Sequence, residues 1–262
     1  MNSFRTRAIT LALTVAMLAP ALVWAQEAGP LNINLGTDLL SSQRLFQLIA
    51  LVTVLSLAPS ILMMVTSFTR IVVVFSFLRN AIGLQSSPPN GVLVALALFL
   101  TSFIMAPTLK AAYEQGLSPY LNQQITEQQA FTRTTQPFAR FMLANVRSED
   151  LELFVSLLPK AEQDAVVLPG PTVKPEQIKV PLQALIPAFM ISELRRAFEI
   201  GFLLFLPFLV IDLAIASILT SMGMITLPPA TIALPFKLIF FVLIDGWHLL
   251  VGTLIQSFQP PL

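Results

Sequence analysis

The chain has no cysteine and a single histidine, His248, in 262 residues. Disulfides, thiolate metal sites and thiol catalysis are therefore excluded, and no multi-histidine metal site can be built. Charge is scarce as well: Asp, Glu, Lys and Arg make up 11% of the chain, against about 25% in soluble domains. The formal net charge of +1 leaves no electrostatic footprint for nucleic acid. No GxxxxGK[ST] loop is present to hold a nucleotide. Tyr and Trp total only four residues, whereas Phe alone reaches 20. What fills the chain instead is apolar. Hydrophobic residues are 55% and mean hydropathy is +0.79, the composition of a membrane protein.

Within this apolar background a few charges stand out. From Ile186 onward the sequence is almost wholly hydrophobic, yet it carries Glu193, Arg195, Arg196, Glu199, Asp212, Lys237 and Asp245. A charge facing lipid at the centre of a spanning helix costs about 2.5–3.5 kcal/mol on insertion scales. Seven in one apolar region predict helices that pack against other helices, in an assembly in or at a membrane.

The start reads as a secretory signal. Arg5 and Arg7 form a basic region, Ala8 to Ala19 is an apolar run too short to span comfortably, and Val23-Trp24-Ala25 offers a cleavage site before Gln26. Cleavage between Ala25 and Gln26 is favoured over an uncleaved first membrane helix, because Pro20 breaks the run and polar residues follow. Residues 1–25 are thus the expected signal peptide and 26–44 a short periplasmic extension. Residues 45–107 form a first apolar helical pair: Leu45–Thr69 carries no charge, and Val92–Pro107 follows the break at Ser86–Gly91. Residues 108–185 are expected to be a periplasmic helical domain. The stretch from Lys110 to Ala184 holds 15 of the 29 formal charges, and Arg140–Pro159 looks helix-compatible. Residues 186–262 form a second apolar pair, Ile186–Met222 and Ala230–Phe258, joined by a turn at 223–229. The expected fold class is all-α: membrane-associated helical hairpins with a small periplasmic helical insertion.

With the mature N-terminus outside, Arg70 and Arg79 fall on the cytoplasmic flank of the first span, as the positive-inside bias requires. The second span then returns to the periplasm. Arg195 and Arg196, however, sit near the outer end of the third segment, and the 223–229 loop has no positive charge. This pattern argues against full lipid exposure of the last two segments.

Spacing frames the charge partners. Glu193 and Arg196 are i,i+3, and Arg195 and Glu199 are i,i+4, so they can pair locally or bridge to another subunit. On one continuous helix Lys237 and Asp245 would lie about 80° apart and about 12 Å along the axis, too far to pair with each other. Lys237 is therefore expected to pair with an acidic residue of the 193–212 segment, on its own or a neighbouring subunit, the alternative being that these charges face a hydrated channel. Phe202, Phe205, Phe208, Phe236, Phe240 and Phe241 recur at near-helical spacing and suit a packing core or a subunit interface. Gly201, Gly246 and Gly252 can permit close helix approach.

Several runs carry a family resemblance: MMVTSFTR at 63–70, IVVVFSFLRNAIG at 71–83, PPNGVLVALALFLTSFIMAP at 88–107, PAFMISELRRAFEIGF at 187–202, LPFLVIDLAIASIL at 206–219 and PPATIALPFKLIFFVLIDGW at 228–247. Together they resemble the FliP family of flagellar type III export-gate proteins and their virulence-secretion relatives. The resemblance implies a non-enzymatic, cofactor-free subunit. It implies that several copies assemble with FliQ-like and FliR-like subunits into a helical multi-subunit channel for unfolded flagellar proteins, with FlhA and FlhB components beside and below it. It places the chain in the bacterial inner membrane at the flagellar basal body. It also implies a cone of helices displaced toward the periplasm, so that hydropathy overstates contact with lipid. The loop containing Met222, Met224 and Ile225 resembles the family's apolar gate constriction, although Ile225 and Thr226 interrupt its methionines. An ordinary interhelical turn is the alternative reading of this loop.

Two other functions compete for the same residues. An intramembrane aspartyl protease would use Asp212 and Asp245 as a dyad, but no flanking motif of that class is present. A small-solute transporter would use the intramembrane charges as its site, but no internal repeat is evident.

Overall fold

A computed structural model describes residues 42–84, 86–168, 178–224 and 226–258. The expected cleavage site at Ala25 and Gln26 lies outside the described residues, as do nearly all of the 26–44 extension and most of the Pro-rich loop after Leu168. The described elements are α1 (Ser42–Met64), α2 (Phe68–Ile82), α3 (Asn90–Ala112), α4 (Ser118–Leu121), α5 (Glu127–Asn145), α6 (Ser148–Ser156), α7 (Lys160–Gln163), α8 (Leu182–Ser221), α9 (Pro229–Leu243) and α10 (Gly246–Gln256). Among the described residues the secondary structure is helical, apart from one isolated antiparallel bridge between Val167 and Lys179.

Residues 1–56 and 57–262 are two separate units. In the first, the described part of α1 exposes Ile49, Val52 and Leu55. The Thr53 hydroxyl donates to the Ile49 carbonyl at 2.7 Å, so this apolar helix satisfies its own polar side chain.

In the second unit, α2 packs along α8 more extensively than any other helix pair. Its buried face, Phe68, Ile71, Val74, Phe75, Leu78 and Ile82, follows the 3.6-residue period. The run Ile71–Val74 is β-branched, but burial along α8 outweighs its modest helix propensity. Gly83 ends α2 in the left-handed region (φ 90°). The Leu84 N–H then reaches back to the Arg79 carbonyl and the Gly83 N–H to that of Asn80, a Schellman closure.

The expected 45–69 segment is not one helix. It stops at Met64, and α2 begins at Phe68. This moves Arg70 from the flank of a span into the interior, where it is fully buried. Arg70 is therefore enclosed by helices rather than standing free at the end of a span.

The helix α3 passes through Pro107 and continues through a π-helical stretch, Tyr113–Leu117, into α4. A capping box opens α5: the Thr126 hydroxyl accepts from the Gln129 N–H, and the Gln129 side chain accepts from the Thr126 N–H. The expected helix-compatible stretch 140–159 is broken at Val146 and Arg147, whose extended backbone separates α5 from α6. Both α5 and α6 pack against α8.

The 40 residues of α8 run uninterrupted through Pro187 and Pro207. At 1.5 Å per residue this is about 60 Å, roughly twice the hydrocarbon thickness of a bilayer. By length and composition, residues 90–121 and α8 can each cross a membrane, and up to four spans result if each bent helix pair counts as one.

The last apolar segment is also not continuous. It bends by 63° between α9 and α10, where Asp245 adopts φ 51° and ψ 51°. Asp-Gly is a turn signal, and here it outweighs the apolar run around it. The helical spacing expected between Lys237 and Asp245 therefore does not apply. Gly246 is required at the bend, since a Cβ there would fall 2.2 Å from the Phe241 ring. Gly201 faces Phe77 in the same way, whereas nothing approaches Gly252 within 4 Å, so the expectation of a close approach at Gly252 is not met.

Candidate functional site

Two charge nodes lie inside the second unit. The first is centred on Arg70. Its Nε donates to Glu193 Oε2 at 2.8 Å and its Nη2 to Glu193 Oε1, making a forked ion pair between α2 and α8. Its Nη1 donates to the Ser257 carbonyl and hydroxyl, both at 2.9 Å. The Phe258 ring lies 3.7 Å from the guanidinium carbon. One side chain thus joins α2, α8 and the segment that follows α10. Both ionised groups are fully enclosed, so they depend on each other. Deleting one partner of such a pair costs about 3–5 kcal/mol.

The second node is Lys237 on α9. Its ammonium lies 2.6 Å from Asp212 Oδ2 on α8 and 3.1 Å from the Ala81 carbonyl near the end of α2. Asp212 Oδ1 is enclosed and takes no hydrogen bond among the described residues. This node pins α9 to α8 and α2 within one chain.

The remaining charges divide by exposure. Arg195 and Glu199 pair at 3.1 Å on the surface of α8, where such pairs contribute a few tenths of a kcal/mol. Of the two readings left open for Glu193 and Arg196, the local pair is not made. Glu193 faces α2 and is bonded to Arg70 instead, and Arg196 forms no ion pair among the described residues. Asp245 is exposed at the α9–α10 bend and likewise has no ion pair among them.

A neutral tie lies one residue before Glu193. The Ser192 hydroxyl accepts from the Arg147 N–H at 3.1 Å, and it lies 2.7 Å from Asp150 Oδ2 and 2.9 Å from the Ala188 carbonyl, to either of which it can donate. It fixes the α5–α6 junction onto α8. Sequence reasoning did not single out Ser192, Asp150 or Ser257, and it read Arg70 only as a flank of the first span. The signal for Arg70 was present, because it occupies the same helical face as Ser67, Ile71, Val74 and Leu78.

The loop after α8 contrasts with these nodes. Met222 is 63% exposed and Met224 is also exposed, and Gly223 turns the chain at φ 73°. Ile225 lies outside the described residues. Much of α8 also shows apolar side chains outward, including Phe198, Phe202, Leu203, Val210 and Leu213. Only 11% of its most apolar stretch is buried within the chain. Of the expected aromatic set, Phe208 packs edge-on to Phe240 at 5.9 Å and lies 6.4 Å from Phe241, while Phe202 and Phe236 are exposed. The arrangement departs from a soluble domain in leaving a large apolar surface outside while two ion pairs lie within an apolar core. Asp212 is committed to Lys237 rather than held as half of a carboxylate dyad.

Comparison with known proteins adds a consistent result. The FliP family profile matches residues 51–254. The flagellar biosynthetic protein FliP of Caulobacter vibrioides is 55% identical over 249 residues, covering 95% of this chain and 89% of that protein. The protein of the same name from Rhizobium meliloti is 48% identical, covering 93% and 96% respectively. That of Bacillus subtilis is 47% identical, covering 87% and 98%.

Proposed function

The chain belongs to the FliP family, and from that premise we propose that it supplies the wall and the gate of a protein-conducting channel. It is a membrane-embedded component of the flagellar export apparatus, and its family is structural rather than enzymatic. In the proposed arrangement several copies stand around a shared conduit with FliQ-like and FliR-like subunits, in the inner membrane. FlhA and FlhB components lie beside and below it. Residues 108–185 face the periplasm and dock laterally onto neighbours. Unfolded flagellar proteins pass through the conduit, and the energy for their movement comes from other components.

One observation carries this reading. The chain satisfies its buried ions internally at Arg70–Glu193 and Lys237–Asp212, while α8 leaves most of its apolar surface uncovered. Helices stabilised in this way are ready to pack against sister helices without further charge compensation. The exposed Met222 and Met224 at the end of α8 then form the constriction, together with Ile225. Flexible thioethers seal an irregular gap and yield to a passing peptide.

The test is ion conductance across membranes containing the assembled complex. Replacing Met222, Met224 and Ile225 with serine, or shortening the 222–226 loop, is expected to make the membrane leaky while the complex still assembles. Unchanged conductance in an assembled complex would reject the gate assignment.

A further inference from the structure

A separate crevice opens where α2, α9 and α10 meet Leu84, Ser87 and Pro88 of the following loop and Leu93 of α3, with a volume of about 200 Å³. Phe75, Leu78, Ile82, Leu238, Phe241 and Trp247 wall it. Val242 stands at its edge, 73% exposed. Trp247 is itself partly exposed and packs edge-on to Phe241 at 5.6 Å and Phe75 at 6.3 Å. The lining holds one charged residue, Arg79, in the last turn of α2.

Arg79 differs from Arg70 in how little of its guanidinium is used. Its Nη1 donates to Asn90 Oδ1, and this is its hydrogen bond among the described residues. Its Nε is enclosed without an acceptor, and no carboxylate lies within ion-pair distance among those residues. The site therefore presents a cation with open donor positions beside an apolar slot. Its complement is an anion joined to a hydrocarbon chain.

Charge decides between possible occupants. The crevice is apolar apart from Arg79, which asks for an anion that an apolar helix face alone does not bring. In an assembly whose apolar faces are mostly covered by sister helices, such a narrow slot is where lipid would persist. Basic pockets between membrane helices suit anionic headgroups, and an arginine fork suits phosphate oxygens.

We propose that this crevice binds an anionic phospholipid, with an acyl chain between α2, α9 and α10 and the phosphate on Arg79. The lipid fills space that protein leaves empty and supplies the counter-charge that Arg79 lacks.

The test uses the full-length protein in its assembled complex, extracted in mild detergent. Intact-complex mass spectrometry follows the lipid retained when the sample is titrated with mixed micelles of dioleoylphosphatidylglycerol or dioleoylphosphatidylcholine. Phosphatidylglycerol is expected to be retained preferentially, and Arg79→Gln to weaken its retention about fivefold, the value of one lost charge contact with an anionic lipid. Val242→Trp, at an exposed rim position, is expected to displace the lipid without disturbing assembly. Arg79→Lys is expected to retain more than Arg79→Gln. Equal retention of the two lipids would overturn the proposal. So would retention unchanged in both Arg79→Gln and Val242→Trp, or competition by inorganic phosphate at concentrations matching the lipid. A carboxylate of a neighbouring subunit cross-linked to this crevice in the lipid-loaded complex would likewise assign the site to protein contact.

Discussion

Arg70 and Glu193 are 123 residues apart in sequence and form a forked ion pair with both side chains fully enclosed. The pair fastens α2 to α8 where each is most deeply buried, and Ser257 completes it. Replacing one member leaves the other charged and without compensation. Arg70→Met or Glu193→Leu alone is expected to destabilise the fold by about 3–5 kcal/mol, and the double substitution by much less than the sum. Thermal unfolding of the detergent-extracted complex measures this. Additive losses would show that the two side chains are not coupled.

The Lys237–Asp212 contact is partly open, since Asp212 retains 31% side-chain exposure against 7% for Lys237. Lys237→Glu puts two carboxylates together beside the Ala81 carbonyl and is expected to abolish assembly. Adding Asp212→Lys should restore part of it, scored as complex recovered from membranes. No rescue would indicate that the partner relevant to assembly lies elsewhere.

Gly246 and Phe241 set the bend between α9 and α10. Gly246→Ala is expected to reduce the yield of folded protein, because the added methyl meets the ring at 2.2 Å. Combining it with Phe241→Leu should recover much of the loss. Gly252 is the control: nothing lies within 4 Å of the added atom, so Gly252→Ala should be neutral or stabilising by about 0.5–1 kcal/mol in a helix. Equal damage at both glycines would count against the geometry of the bend.

Ser192→Ala removes the acceptor for the Arg147 N–H and a neighbour of Asp150. The expected cost is about 1–3 kcal/mol, felt mainly at the α5–α6 junction. Limited proteolysis should show faster cleavage around residues 145–150 with the rest of the chain unchanged. Uniform protection would mean that the junction is held by other contacts.

The helical class and the turn at 223–229 were legible because long apolar runs and Pro/Gly punctuation carry them directly. The pairing of Lys237 could be narrowed to one segment from the cost of an unpaired ion in an apolar setting, but sequence spacing alone could not choose Asp212 over its neighbours. Arg70 was misplaced because a charge at the edge of an apolar run resembles a membrane flank. Only the periodicity of Ser67, Ile71, Val74 and Leu78 betrays that it points inward. The break at Asp245 was hidden for a related reason, since hydropathy reports how apolar a stretch is and says nothing about its direction. The tie from Ser192 joins segments 42 to 45 residues apart, and no local pattern encodes such a distance.

The unbroken length of α8 makes it a lever arm. Ser192, held by the insertion, and Met222, at the loop, are separated by about 45 Å of continuous helix. Each degree of tilt pivoting at Ser192 therefore swings Met222 sideways by about 0.8 Å. For Lys237 to keep its contact, α9 must travel with α8, because Asp212 lies about 30 Å from that pivot and itself moves about 0.5 Å per degree.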